Sequence, residues 1–101
     1  MIYKIVNRSE VKSDILSAVS YYKKINPKLP KQLVFRIREA KTAILRTPYG
    51  FQIKYKNVRT LLLKQFPYHI HYLIDEPKRQ IIILALIHSY KKPQDYSLRE
   101  E

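Results

Sequence analysis

Apolar positions along the chain change their period once, and that change divides it into a helical part and a sheet part. Ile2-Tyr3-Lys4-Ile5-Val6 is short and rich in β-formers and predicts a first strand. Asn7 or Ser9 then offers a helix cap, and Glu10, three residues after Asn7, completes a capping box. From there Val11, Ile15, Ala18, Val19, Tyr22 and Ile25 recur at three- and four-residue steps, the apolar face of an amphipathic helix. Asn26-Pro27 ends it, because the proline ring disfavours helical geometry in the residue before it. Pro30 suits the first turn of a second helix, where its missing N–H is no loss. On that helix Leu33, Ile37, Ala40 and Ile44 fall within about 60° of one another, while Lys31, Arg38, Lys41 and Arg46 face the other way. Thr47-Pro48-Tyr49-Gly50 stops the helix, and the short link between the two makes an antiparallel hairpin.

After Gly50 the period becomes two. Phe51–Lys56 alternates, Asn57 offers a turn, and Val58–Lys64 continues as strand until Gln65-Phe66-Pro67 breaks it. Tyr68-His69-Ile70-His71-Tyr72-Leu73-Ile74 is the next strand, with Tyr68, Ile70, Tyr72 and Ile74 on one face. Asp75-Glu76-Pro77-Lys78 is a turn, and Gln80–Ile87, apolar on both faces, suits a central strand covered on both sides. The expected fold is α+β: an N-terminal strand, then an antiparallel two-helix hairpin packed on a curved antiparallel sheet, with residues 1–101 as a single domain.

Composition removes whole classes of chemistry. There is no cysteine, so disulfides, thiolate metal sites and thiol nucleophiles are excluded. Gly50 is the only glycine, which excludes Gly-rich phosphate loops. The longest apolar run, Ile81–Ile87, is far short of the ~20 residues that span a bilayer, and the first residues hold no secretory signal. A cytoplasmic protein with no membrane association is expected. The formal charge is +12, and its distribution is uneven. Residues 1–64 carry 15 basic and 3 acidic side chains, against 5 and 5 in residues 65–101. Such asymmetry points to one surface that meets an anionic partner.

The candidate chemistry is limited. His69 and His71 share a strand face, but a third ligand could come only from His88 or a distant carboxylate, so no metal or other cofactor is expected. No strand interior carries a carboxylate, which argues against a two-metal nuclease. Metal-free RNA cleavage needs a base near the 2′-hydroxyl and cations on the phosphate. Arg59, Lys64, His69, His71, His88, Lys91, Lys92, Tyr90 and Tyr96 are the side chains available for it. Equally, they could be contacts for a partner protein. Among the tyrosines, Tyr21, Tyr22, Tyr68 and Tyr72 are expected in or against the core, whereas Tyr49, Tyr55, Tyr90 and Tyr96 could stack on bases.

Three phrases occur in a telling order: Ala18-Val19-Ser20-Tyr21-Tyr22, then Val58-Arg59-Thr60-Leu61-Leu62-Leu63-Lys64-Gln65-Phe66-Pro67-Tyr68-His69-Ile70-His71-Tyr72, then Ile83-Leu84-Ala85-Leu86-Ile87-His88-Ser89-Tyr90-Lys91-Lys92-Pro93. Over about residues 3–96 the chain resembles the RelE/ParE superfamily of toxins from bacterial type II toxin–antitoxin modules, also called plasmid stabilisation proteins. The resemblance implies a helical hairpin on a curved sheet and a cognate acidic antitoxin that wraps the toxin in a hetero-oligomer. It also implies one of two targets. RelE-like members cut messenger RNA on the ribosome; ParE-like members poison DNA gyrase. RelE-like nucleases tend to place an arginine near the start of the strand that here begins Tyr68-His69, and none stands there. Phe66-Pro67-Tyr68 looks like the ParE-like branch. The expectation is therefore a gyrase-binding toxin whose antitoxin or target meets Lys31, Arg38, Lys41, Arg46 and Tyr90. The alternative is a ribosome-dependent endonuclease using Arg59, Lys64, His88, Lys91, Lys92 and Tyr96. A weaker alternative is a non-toxic basic module that binds nucleic acid.

Overall fold

In the computed structural model, which describes residues 2–100, the elements follow the order the periodicity predicts. Strand β1 (Lys4–Asn7) leads into helices α1 (Glu10–Ile25) and α2 (Leu29–Arg46), and a 3₁₀ turn at Pro48–Gly50 closes the hairpin. Strands β2 (Ile53–Tyr55), β3 (Val58–Leu62), β4 (Tyr68–Asp75) and β5 (Gln80–His88) then form an antiparallel meander. A second 3₁₀ turn lies at Tyr96–Leu98.

Local chemistry accounts for most of these boundaries. Asn26 is extended, as the following proline requires, and its side-chain oxygen accepts from the Lys28 N–H at 2.9 Å. Pro30 sits in the first turn of α2. The capping box does not form. Asn7 is consumed as the last residue of β1, and Ser9 caps α1 from a helical conformation without a side-chain bond. The predicted strand from Phe51 shortens to Ile53–Tyr55, because Lys56 turns left-handed at φ 47° and the pairing with β3 is irregular. Gln65 (φ 73°) and Arg79 (φ 54°) make the other two tight reversals without glycine.

The sheet order is β1-β5-β4-β3-β2, and β1 runs parallel to β5. The sheet is thus mixed rather than wholly antiparallel. Helices α1 and α2 carry the chain from β1 at one edge of the sheet to β2 at the other, and β1 pairs in parallel with β5, the last strand in the chain. The helices cover one face of the sheet. There Val11, Ala18, Tyr22, Leu33, Ile37, Ala40 and Ile44 pack on Ile70, Tyr72, Ile81 and Ile83. Ile25, the last residue of α1, and Tyr21, off the stripe of Val11, Ala18 and Tyr22, are exposed although both were expected in or against the core.

Strand β5 is covered on its second face too, by the C-terminal segment. Val58, Ile82, Leu84, Ala85 and Ile87 form a smaller core closed by Tyr96. A bulge in β5 leaves Leu84 without a partner on β4 and puts both Leu84 and Ala85 on this face. Strand β1 ends beside Ile83, so the next polar groups of β5 need other partners. Asp14 of α1 accepts from the Leu86 N–H at 3.0 Å, and Arg99 donates to the Leu84 carbonyl at 3.0 Å. Arg99 also binds Asp14 at 2.6 Å and stacks over Tyr96 at 5.0 Å, fastening the C-terminal segment across the sheet.

Candidate functional site

The pleat decides what faces the second side of the sheet. Ile70 and Tyr72 point into the main core, so the intervening His69 and His71 of β4 point the other way. Thr60 lies opposite His71 on β3, Lys54 comes from β2, and the C-terminal segment adds Ser89, Lys91, Lys92, Pro93, Gln94 and Tyr96. Together with Tyr55, Ile87 and His88 they enclose a groove of about 200 Å³. Backbone bonds fix its C-terminal wall: the Ser89 N–H donates to Pro67 O at 2.7 Å and the Lys91 N–H to His88 O at 3.0 Å.

Hydrogen bonds inside the groove assign the histidine roles. The Tyr96 N–H donates to the Tyr55 hydroxyl at 3.2 Å, and that hydroxyl in turn lies 3.1 Å from His71 Nδ1, placed to donate its proton there. Burial, with the nearby His69, Arg99 and Lys54 charges, pushes His71 down to about 4, so it is neutral at pH 7. His69 is lowered as well, by burial and then by Lys54, and its Nδ1 lies 3.0 Å from Ser89 Oγ. That is hydrogen-bond reach for a nucleophile and a base, but no carboxylate lines the groove to orient the imidazole. Among the described residues no cluster of three or more His, Cys, Asp or Glu is placed to hold a metal ion. The groove offers three lysine ammonium groups, hydroxyls and the neutral imidazoles of His69 and His71: equipment for holding an anion.

A pH dependence follows from His71. Folded, it takes a proton near pH 4; unfolded, near 6.5. Between those values the unfolded chain binds the extra proton, so His71 contributes stability that is complete above pH 6.5 and lost as pH falls toward 4. His71→Gln should flatten the decline of the urea midpoint over that window. Equal slopes in variant and parent would show that His71 does not set it.

The sequence-derived cleavage set is divided by the fold. His88, Lys91, Lys92 and Tyr96 line the groove, although Tyr96 is buried and its ring faces His71 at 5.2 Å as part of the wall. Arg59 is elsewhere. It pairs with Tyr72 on the helix side, donates to Phe51 O at 2.6 Å and Tyr49 O at 3.2 Å, and lies over the Tyr49 ring. Lys64 is exposed beyond the end of β3, off the groove. The docking set is divided as well. Lys31, Arg38 and Arg46 are exposed on the outer side of α2 around Phe35, itself 58% exposed. Lys41 is half-buried instead, its ammonium 3.4 Å from Asn7 Oδ1, and desolvation lowers its pKa. Tyr90 projects at the groove's end, 87% exposed beside His88. Lys54, Thr60 and Ser89 were not singled out by the sequence. The alternation along 51–56 carries the signal for Lys54, but only the β2–β3 pairing reveals which face it joins.

The geometry, a two-helix hairpin on a five-stranded mixed sheet, is a fold also found in chains of solved toxin–antitoxin systems. Two of the solved structures that share it illustrate the likeness. A chain of the chromosomal ParDE TA system from P. aeruginosa superposes with a TM-score of 0.74 at 19% identity, over 86% of this chain and 96% of that one. A chain of the toxin–antitoxin complex RelBE2 from Mycobacterium tuberculosis superposes with a TM-score of 0.56 at 16% identity, over 87% and 99%. No protein-family profile and no curated protein sequence matches the chain. No helix among the described residues is long and apolar enough to cross a membrane.

Proposed function

We propose that this chain is the toxin of a type II toxin–antitoxin module, restrained by a cognate acidic antitoxin and acting by binding DNA gyrase. The observation that carries the reading is the shared fold with a chain of a ParDE system over nearly the whole length. The outer side of α2 supports the antitoxin half. Lys31, Arg38 and Arg46 have no carboxylate partner among the described residues and surround an exposed Phe35, a surface suited to an acidic amphipathic segment. The gyrase half draws support from what the groove lacks. It holds no arginine, and the cleavage reading loses two of its cations because Arg59 and Lys64 lie outside it.

Purified toxin should inhibit DNA supercoiling by gyrase, and the acidic protein encoded beside it should relieve the inhibition. No inhibition and no cleaved complex at saturating toxin would sink the gyrase reading. New messenger ends in primer extension on translating ribosomes would replace it with the cleavage reading. Reversing the charge at Lys31, Arg38 and Arg46 together should slow antitoxin association by about tenfold or more at low salt, while the thermal melt stays unchanged. Unchanged capture kinetics would remove this face from the antitoxin interface.

A further inference from the structure

Away from the groove, one carboxylate is the meeting point of three distant segments of the chain. Glu76, in the turn between β4 and β5, accepts from the Tyr3 hydroxyl at 2.6 Å and, through the same Oε2, from the Tyr49 hydroxyl. Arg79 binds the other oxygen at 2.9 Å and donates to the Tyr3 hydroxyl at 3.3 Å. Each ring carries a guanidinium on its face, Arg79 over Tyr3 at 5.5 Å and Arg59 over Tyr49 at 5.1 Å. Two hydroxyl donors and two cations thus surround a single negative charge. Arg59 has no carboxylate partner of its own among the described residues.

The donors are held in place without help from Glu76. The Gly50 N–H donates to Thr47 O at 2.9 Å, the Tyr72 hydroxyl to Pro48 O at 2.6 Å and Arg59 to Tyr49 O at 3.2 Å, which together fix the Tyr49 turn. Tyr3 packs against the core, and the next N–H, of Lys4, donates to Arg79 O at 3.0 Å. The turn that carries Glu76 is closed by other groups as well. Asp75 accepts from the Lys78 N–H at 3.3 Å, and the Glu76 carbonyl accepts from the Arg79 N–H at 3.1 Å. The Glu76 side chain, 43% exposed, can therefore leave while both turns and all four donors stay as they are, a preorganised receptor.

We propose that this cluster is a carboxylate receptor in which Glu76 stands in for an acidic side chain of a partner protein, whose carboxylate exchanges with it between Tyr3, Tyr49, Arg59 and Arg79. The resident group shows the chemistry the site takes: one carboxylate oxygen for two hydroxyls, the other for a guanidinium. The inference deepens the antitoxin reading and rests on it only for the partner's identity. The turn that carries Tyr49 follows the last residue of α2, Arg46, so an acidic segment lying along that helix ends beside the receptor. Glu76 competes from a short tether, at an effective concentration on the order of millimolar, and a segment already held by Lys31, Arg38 and Arg46 competes on similar terms. With a carboxylate in place the Tyr49 phenol stays a donor, pushed up to about 12 chiefly by its bond to Glu76.

Two measurements on the full chain test it. The first is chemical rescue: Glu76→Ala should melt below the parent, and sodium acetate should restore at least about half of the loss, while chloride at equal ionic strength restores none. The second is an amide NMR titration with a synthetic amphipathic peptide of glutamate and leucine, and with its glutamine counterpart. The glutamate peptide should shift Tyr3, Tyr49 and Arg79 in a saturable way, and the glutamine peptide should not. If Glu76 fills the receptor about nine-tenths of the time, Glu76→Ala should bind the glutamate peptide about tenfold more tightly than the parent. Adding Tyr3→Phe and Tyr49→Phe, which change no charge, should cancel that gain. Acetate no better than chloride would overturn the proposal. So would equal affinity in parent and Glu76→Ala, or a gain that survives the loss of both hydroxyls, which would reduce the binding to general charge attraction. Rescue and peptide exchange without capture of the acidic protein encoded beside the toxin would support the receptor and sink only the antitoxin reading. Antitoxin capture indifferent to Glu76 and to both hydroxyls would overturn the receptor's role and leave that reading standing.

Discussion

Replacing Asp14 with alanine is expected to lower folding stability by about 3 kcal/mol, and the melting temperature by roughly 12–24 °C. The reason lies in what one carboxylate holds together. Its two oxygens accept from Arg99 at 2.6 and 3.3 Å and from the Leu86 N–H at 3.0 Å. Both side chains are largely covered, with Asp14 14% and Arg99 19% exposed, so water replaces the lost bonds poorly. Alanine leaves the Leu86 N–H unpaired and takes the carboxylate from a largely covered guanidinium, which keeps only the Leu84 carbonyl at 3.0 Å and Glu10 at 4.0 Å, in the stretch where β1 no longer reaches β5. Asp14→Asn keeps an acceptor for Leu86 and should recover about half of the loss. A double-mutant cycle with Arg99→Ala separates the two parts: coupling between Asp14 and Arg99 should be at least about 1 kcal/mol. A loss below about 1 kcal/mol in Asp14→Ala would show that the C-terminal segment is held by Tyr96 alone.

How much of this was legible in the sequence depends on the distance over which each feature is encoded. The apolar run Ile81–Ile87 announces a strand covered on both faces, and every residue in it is buried. Leu33, Ile37, Ala40 and Ile44 announce the inner side of α2, and all four are in the core. Those are signals of period and spacing within one element. The parallel pairing of β1 is different, because Ile5 meets Ile81 and no local pattern records the partner. The Asp14–Arg99 clasp joins residues 85 positions apart. In the sequence, Asp14 is one polar residue on a helix and Arg99 one basic residue near the end.

The candidate site was harder to read for a related reason. Sequence places Arg59 and Thr60 in one strand but does not state which face each takes, and a shift of one residue exchanges them. The pairing settles it. Arg59 shares a face with Tyr72 and becomes a brace for the turn before β2, while Thr60 shares a face with His71 and joins the groove. Lys41 shows the same limit on a helix. A single core stripe puts it outward, yet Asn7 at the end of β1 approaches α2 from the side and draws its ammonium into a half-buried position. Charge counts therefore located a basic half of the chain but not its surfaces. The fold separates that half into an open side of α2 and a lysine, Lys54, that joins Lys91 and Lys92 from the formally neutral half.

Tyr72 is the position where the two layers depend most on one side chain, and Tyr72→Ala is expected to cost about 4–5 kcal/mol, enough to unfold a marginal domain of this size. The residue is fully buried at the centre of β4, within the core formed with both helices. Its hydroxyl donates to the Pro48 carbonyl at 2.6 Å, tying the sheet to the turn that ends the hairpin. Burial pushes the phenol up to about 12, so it stays a donor throughout the working pH range. Alanine removes the ring that fills this space and orphans the carbonyl. Tyr72→Phe keeps the ring and loses only the bond, and it should cost about 1–2 kcal/mol. Urea denaturation of the three proteins checks the ordering. If phenylalanine were as damaging as alanine, the hydroxyl rather than the ring would hold the layers together. If both were mild, the helices would be packed loosely enough to close over the gap, and Leu33→Ala and Ile44→Ala, which line the same core, should then be mild as well.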